Sequence, residues 1–213
     1  QKLSLRAQTN GRFFQSYNAS FTEPWLGGKK PTSFTVGGFY TRYSNIDAQY
    51  RSIGYYSIVS GTVGMATRLK WPDDNFLVNA SLNFQQNKLN EYPGLFTVAN
   101  GTFNNLNLRL TLARTTVADP IFPREGSKIS LTGQFTPPFS LINGKTAADY
   151  ADLPLEKRFH WLEYHKWRLD MEFYKSIVGK LVLKVSNKTG MISYYNSYVG
   201  LSPFERFELG GDG

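Results

Sequence analysis

The feature that most constrains this chain is a two-residue rhythm of apolar and polar side chains, sustained over long stretches. From Asn104 onward it sets Leu106, Leu108, Leu110 and Leu112 against Asn105, Asn107, Arg109 and Thr111. Successive side chains of a β-strand point to opposite faces, so this spacing predicts a strand with one apolar and one polar face. After the turn-rich Asp119-Pro120-Ile121-Phe122-Pro123-Arg124-Glu125-Gly126, the rhythm resumes with Ile129, Leu131, Gly133 and Phe135 against Lys128, Ser130, Thr132 and Gln134. Together the two runs predict an antiparallel hairpin. Each reaches about ten residues or more, the length with which a tilted strand crosses a bilayer, whereas strands of soluble sheets average about five or six.

The same pattern covers most of the chain. Leu3, Leu5 and Ala7 alternate with Ser4, Arg6 and Gln8 ahead of Asn10-Gly11, a strong hairpin signal. Tyr17, Ala19 and Phe21 lead into the breakers of Glu23 to Pro31, and Phe34, Val36, Gly38 and Tyr40 return. From Ser44 to Gly61 the alternation fades, and Asn45, Asp47, Gly54 and Gly61 predict a longer loop. Val63, Met65, Leu69 and Trp71, a turn at Pro72 to Asn75, and Phe76, Val78, Ala80, Leu82 and Phe84 predict another hairpin. Beyond Pro137-Pro138 a long connection runs to about Phe159, with room for a short helix between Ala147 and Lys157. Trp167, Leu169, Met171 and Phe173, a turn at Val178-Gly179, and Leu181, Leu183 and Val185 complete about nine strands of an all-β fold.

In this setting the composition narrows the choice. No run of about 18 apolar residues occurs and the mean hydropathy is -0.36, so the sequence predicts no transmembrane helix. A barrel evades that criterion by placing its lipid-facing residues at alternate positions. Short turns are expected at one end of the strands and longer loops at the other, and Trp25, Trp71, Phe76, Trp161 and Tyr194 fall near strand ends, as interfacial aromatic girdles require. These features predict an antiparallel transmembrane β-barrel in the bacterial outer membrane, in contact with its lipids. An odd number of antiparallel strands does not close on itself, and an open edge in lipid leaves backbone groups unsatisfied. The chain is therefore expected to be a piece of a larger barrel, with any signal peptide removed or lying upstream of Gln1.

Several functional classes fall away. The chain has no cysteine, which excludes disulfides, thiolate zinc sites and cysteine nucleophiles. The net charge of +8 is dispersed over single residues such as Arg109, Lys128, Arg168 and Lys184, unlike the clustered footprint of a nucleic-acid binder, so no nucleic-acid partner is expected. His160 and His165 do not share a strand face and have no third ligand nearby, so neither a metal nor a cofactor is expected. Asp170 and Glu172 share a polar strand face, but Lys166 and Arg168 stand beside them, which suits a lumenal charge network better than acid–base catalysis. A polar lumen of this kind is also compatible with a porin-like channel, and a soluble all-β binding module is the third reading.

The last residues sharpen the expectation. Pro203-Phe204-Glu205-Arg206-Phe207-Glu208-Leu209-Gly210-Gly211-Asp212-Gly213 resembles the loop that precedes the Arg-Gly-Phe/Tyr signature of BamA-like outer-membrane assembly barrels, in the style of their Bacteroidetes members. Asp119 to Gly126, with Phe122, Pro123 and Gly126, resembles that family's Phe-Pro-x-x-Gly turn, and Glu23-Pro24-Trp25 resembles an earlier strand end. The resemblance implies a sixteen-stranded barrel, of which residues 1–213 would form the third to eleventh strands and the start of the sixth external loop. It implies a non-enzymatic function, the folding and insertion of nascent outer-membrane β-barrel proteins by strand pairing at an opening seam. POTRA domains, accessory lipoproteins and other outer-membrane subunits would be the partners. Pro203, Phe204, Arg206, Phe207, Gly210, Gly211 and Gly213 would seat the loop against the lumen wall. A sibling translocator barrel would share these features.

Overall fold

The computed structural model describes residues 1–28, 31–47, 49, 51–92, 98–144 and 146–207. Nine strands form one sheet: β1 (Lys2–Asn10), β2 (Phe14–Glu23), β3 (Thr32–Ile46), β4 (Ser52–Arg68), β5 (Phe76–Asn90), β6 (Gly101–Thr115), β7 (Gly126–Phe135), β8 (His165–Val178) and β9 (Leu181–Ser193). They pair in chain order, each antiparallel to its neighbour, so β1 and β9 are the sheet's two ends. Three short helices, α1 (Phe139–Ile142), α2 (Ala147–Ala151) and α3 (Leu155–Arg158), lie in the connection between β7 and β8.

The two faces are inverted relative to a soluble sheet. Leu3, Phe21, Val36, Val63, Leu82, Leu108 and Phe135 are successive cross-strand partners in one row. Beside it, on the opposite face, runs Ser4, Ser20, Gly37, Thr62, Asn83 and Asn107. Asn107 is 4% exposed, whereas Leu108 is 42% exposed. A wall that turns its leucines outward and buries its asparagines is built for an apolar exterior and a polar interior. The buried amides are satisfied by one another: Asn83 donates to Asn107 at 3.1 Å, Asn107 to Asn105 at 3.1 Å, and Arg109 to Gln134 at 3.1 Å. They line a cavity of about 610 Å³ that reaches from Asn18 on β2 to Gln134 on β7.

The expected loop from Ser44 to Gly61 is instead strand. β3 continues to Ile46 and β4 begins at Ser52, and between them Asp47 accepts hydrogen bonds from the Gln49 and Arg51 amides. The alternation fades because both faces become apolar there. Tyr56 and Ile58 point inward to a core, while Tyr55 and Val59 point outward.

That core lies at the end of the sheet carrying the β5–β6 and β7–β8 connections, here termed the loop end. Tyr56, Leu89 and Phe103 from β4, β5 and β6 pack with Tyr150, Phe159, Leu162 and Tyr164 of the β7–β8 connection and with Val199 beyond β9. β7 pairs with β6 only from Leu108 onward, which leaves the loop-end half of β6 open. Residues 160–162 cover it: the Asn104 amide donates to the His160 carbonyl at 2.8 Å, and the Leu162 amide to the Asn104 carbonyl at 2.9 Å. The long connection thus closes the loop end instead of standing away from it. Among the strand connections the expected contrast in length is carried by β7–β8 alone, since β1 and β2 are joined by residues 11–13, β3 and β4 by 47–51, and the β5–β6 connection, 91–100, is no longer than 116–125 at the opposite end.

Candidate functional site: the lumenal seat of the loop after β9

After β9 the chain folds back over the polar face. The Phe204 amide donates to the Ser202 hydroxyl at 3.1 Å, and the Phe204 ring packs 4.4 Å from that of Phe103 on β6. Glu205 accepts from the Asn105 amide at 3.0 Å and from the Lys166 ammonium at 3.2 Å, joining the loop to β6 and β8. The Lys166 ammonium also lies 4.7 Å from the centre of the Phe207 ring. Phe207 in turn rests on Gly190 of β9, where a β-carbon would stand 2.5 Å from the ring. Only a residue without a side chain admits so close an approach.

Beneath the seat, Tyr164 receives hydrogen bonds at its hydroxyl from Asn105, at 3.0 Å, and from Gln134. It is fully buried, and burial, reinforced by the Glu205 charge, raises its phenol well above the usual tyrosine range. The hydroxyl stays neutral and serves as a fixed bridge between β6 and β7. Arg206 and Phe207 border a second lumenal cavity, of about 630 Å³, with Arg109, Lys166, Arg168 and Asp170. Arg168 is paired with Asp170 at 2.7 Å, and Glu172 with Lys184 at 2.9 Å, so the two carboxylates each answer a cation of their own.

Of the loop residues singled out by sequence, Pro203, Phe204 and Phe207 are half-buried at this seat, and Arg206 is exposed to the lumen. Gly210, Gly211 and Gly213 lie outside the described residues. The turn motif stands at the opposite end of the sheet. Asp119 accepts from the Ile121 amide at 2.9 Å and the Phe122 amide at 3.1 Å, which holds its carboxyl below the usual range. Gly126 adopts φ +106°, and a β-carbon there would stand 2.8 Å from the Thr116 carbonyl oxygen, a position open to glycine alone. Phe122 projects outward from this turn, 75% exposed, with Pro123 half-buried beside it.

Trp25 and Trp71 are exposed at the same turn end, and Phe76 opens β5 there under the Arg114 guanidinium, 5.5 Å from its ring. Trp161 belongs to the loop end, packed 4.8 Å from Phe139 and 6.5 Å from Phe84. Sequence reading missed the receiving side of the seat: Phe103, Asn105, Tyr164, Lys166 as the Glu205 partner, and Gly190. Gly190 alone left a signal, as a glycine inside a strand with no turn beside it.

An antiparallel wall with an apolar exterior, a polar interior and a loop folded onto that interior defines part of an outer-membrane-type β-barrel. The chain belongs to the Omp85 superfamily, whose domain model matches residues 1–213. Its fold is similar to the crystal structure of BamA from Haemophilus ducreyi lacking POTRA domains 1–3, with a TM-score of 0.66 and 15% sequence identity. The match covers 99% of this chain and 38% of that one, so the chain spans well under half of that structure's length. No curated protein matches the chain by sequence.

Proposed function

We propose that this chain is the wall and loop anchor of a barrel that inserts nascent β-barrel proteins into the bacterial outer membrane. The observation that carries this reading is the seat of residues 203–207 on the polar face. A loop tied at Phe103, Asn105, Lys166 and Gly190 lies across the polar face and narrows the space beside it, which weighs against a wide porin-like channel. On this reading residues 1–213 are the third to eleventh of sixteen strands and the first part of the sixth external loop. POTRA domains and accessory lipoproteins or other outer-membrane subunits attend the complete protein, and the loop end faces the exterior.

The work is noncovalent. An incoming strand pairs with an exposed barrel edge, and its backbone hydrogen bonds template the next strand. The role of this segment is to hold its shape while the seam moves. The test is reconstitution of the full-length protein in liposomes with a urea-denatured outer-membrane barrel as substrate. Folding of the substrate, read as heat-modifiable gel mobility, is expected to be accelerated relative to empty liposomes. A large steady conductance without such acceleration would favour the channel, and export of an unfolded passenger without insertion would favour a translocator.

A further inference from the structure

The outer wall carries two cations that the barrel itself leaves unanswered. Arg42 on β3, Ser57 on β4, Lys88 on β5 and Thr102 on β6 are successive partners in one row on the apolar face. The adjacent row toward the turn end is Tyr17, Tyr40, Val59, Gln86 and Asn104, where the apolar belt gives way to polar side chains. The Tyr17 and Tyr40 rings lie parallel there, 6.5 Å apart, as in an interfacial aromatic girdle. Arg42 and Lys88 therefore stand one row beyond this girdle, on the apolar face.

Their geometry suits one anion. Strands are about 4.8 Å apart, so the Arg42 and Lys88 backbones, two strands apart, stand roughly 10 Å from each other with the short Ser57 between them. Two long side chains reach across such a gap to a single tetrahedral group. The Arg42 guanidinium is stacked 4.4 Å from the centre of the Tyr55 ring, and its buried Nε has no hydrogen-bond partner. Among the described residues neither cation is in an ion pair, whereas Lys166, Arg168 and Lys184 on the inner face each have a carboxylate. The flanking rows, through Tyr40 and through Ser44, Tyr55 and Asn90, contain no Asp or Glu.

We propose that Arg42 and Lys88 form a binding site for a phosphorylated lipid headgroup in the leaflet at the loop end. The lipid source follows from the floor of the site: Tyr40, Val59, Val63 and Leu82 continue down the wall beneath the cations and offer an acyl chain an apolar path. The inference rests on the membrane-barrel reading but not on the insertion function.

The test uses the full-length protein in detergent micelles and native mass spectrometry to count retained diphosphoryl lipid A, with its dephosphorylated counterpart as the control probe. R42Q/K88Q is expected to retain about tenfold less of the phosphorylated lipid and an unchanged amount of the control. Lys88→Gln alone, a change at an exposed side chain, is expected to give an intermediate loss if the double variant folds poorly. Equal retention by wild type and variants would overturn the site. Displacement of the lipid by excess inorganic phosphate, with no preference for the lipid, would overturn its assignment to a headgroup. A spin label at Leu82 separates the two levels: if it meets water instead of lipid, the barrel reading itself fails, and if it meets lipid while retention is unchanged, the headgroup site alone fails.

Discussion

Phe207 lies on the bare backbone of Gly190, close enough that a single added methyl would collide with its ring at 2.5 Å. The loop after β9 and the strand before it are thereby matched by the absence of a side chain. Gly190→Ala is expected to lift the ring from the wall and to cost the seat about 1–3 kcal/mol, as overpacking does. Hydrogen exchange of the full-length protein should then show faster exchange across residues 203–207 and little change in β5 and β6. Unaltered exchange in the loop would mean that Phe207 does not hold it.

The Glu205–Lys166 pair is the loop's polar tie, and both side chains are only 21% exposed. Partial burial strengthens the attraction while Asn105 supplies a second donor to the carboxylate. A double-mutant cycle with Glu205→Gln and Lys166→Gln, read by urea unfolding in micelles, is expected to give a coupling of about 1 kcal/mol, at the upper end for exposed ion pairs. Additive effects would place the contribution elsewhere.

Tyr164→Phe keeps the ring and removes the hydroxyl to which Asn105 and Gln134 donate. Two buried amide groups then lose a partner, and the expected cost is about 1–3 kcal/mol. The readout is the temperature at which the barrel loses its compact gel mobility, which should fall in the variant and remain unchanged if water replaces the hydroxyl at no cost.

Asp119 supplies the pH dependence. Its carboxylate is held below its ordinary value first by the Phe122 amide and then by the Ile121 amide. A carboxyl depressed in the folded state contributes stability that is fully present above its unfolded value and is lost as pH falls through the folded one. The turn at Asp119 to Gly126 is therefore expected to hold at neutral pH and to loosen only below the normal carboxylate range. In NMR spectra of the full-length protein in nanodiscs, the Ile121 and Phe122 amide signals should move together in that acidic window. Asp119→Asn should abolish the movement, and a midpoint at or above the ordinary aspartate value would contradict the hydrogen bonds.

The strands were legible in the sequence wherever one face meets lipid and the other a polar lumen, as in Leu106 to Leu112 and Phe76 to Phe84. They became illegible near the loop end, where Tyr56 and Ile58 turn the inner face apolar and erase the period that Tyr55 and Val59 would otherwise mark. The long connection after Phe135 was visible as a connection, with a short helix foreseen where α2 and α3 stand, but α1 lies outside that stretch. That residues 160–162 would pair with β6 depends on β7 ending early, which no local pattern records. The loop seat was half legible: Phe204 and Phe207 are apolar residues in a polar, glycine-rich tail. Their receivers, Phe103 and Gly190, are distant in sequence and are brought to them only by the order of the strands.

The inverted wall is tested most directly at two adjacent residues of β5. Nitroxide spin labels attached at Leu82→Cys and, separately, at Asn83→Cys in the full-length protein in lipid bilayers report collision with oxygen, which concentrates in hydrocarbon, and with a water-soluble nickel complex. The label at Leu82 is expected to be accessible to oxygen and shielded from nickel, and the label at Asn83 to be shielded from oxygen. Equal, water-like accessibility at both positions would contradict a lipid-facing apolar row and with it the barrel.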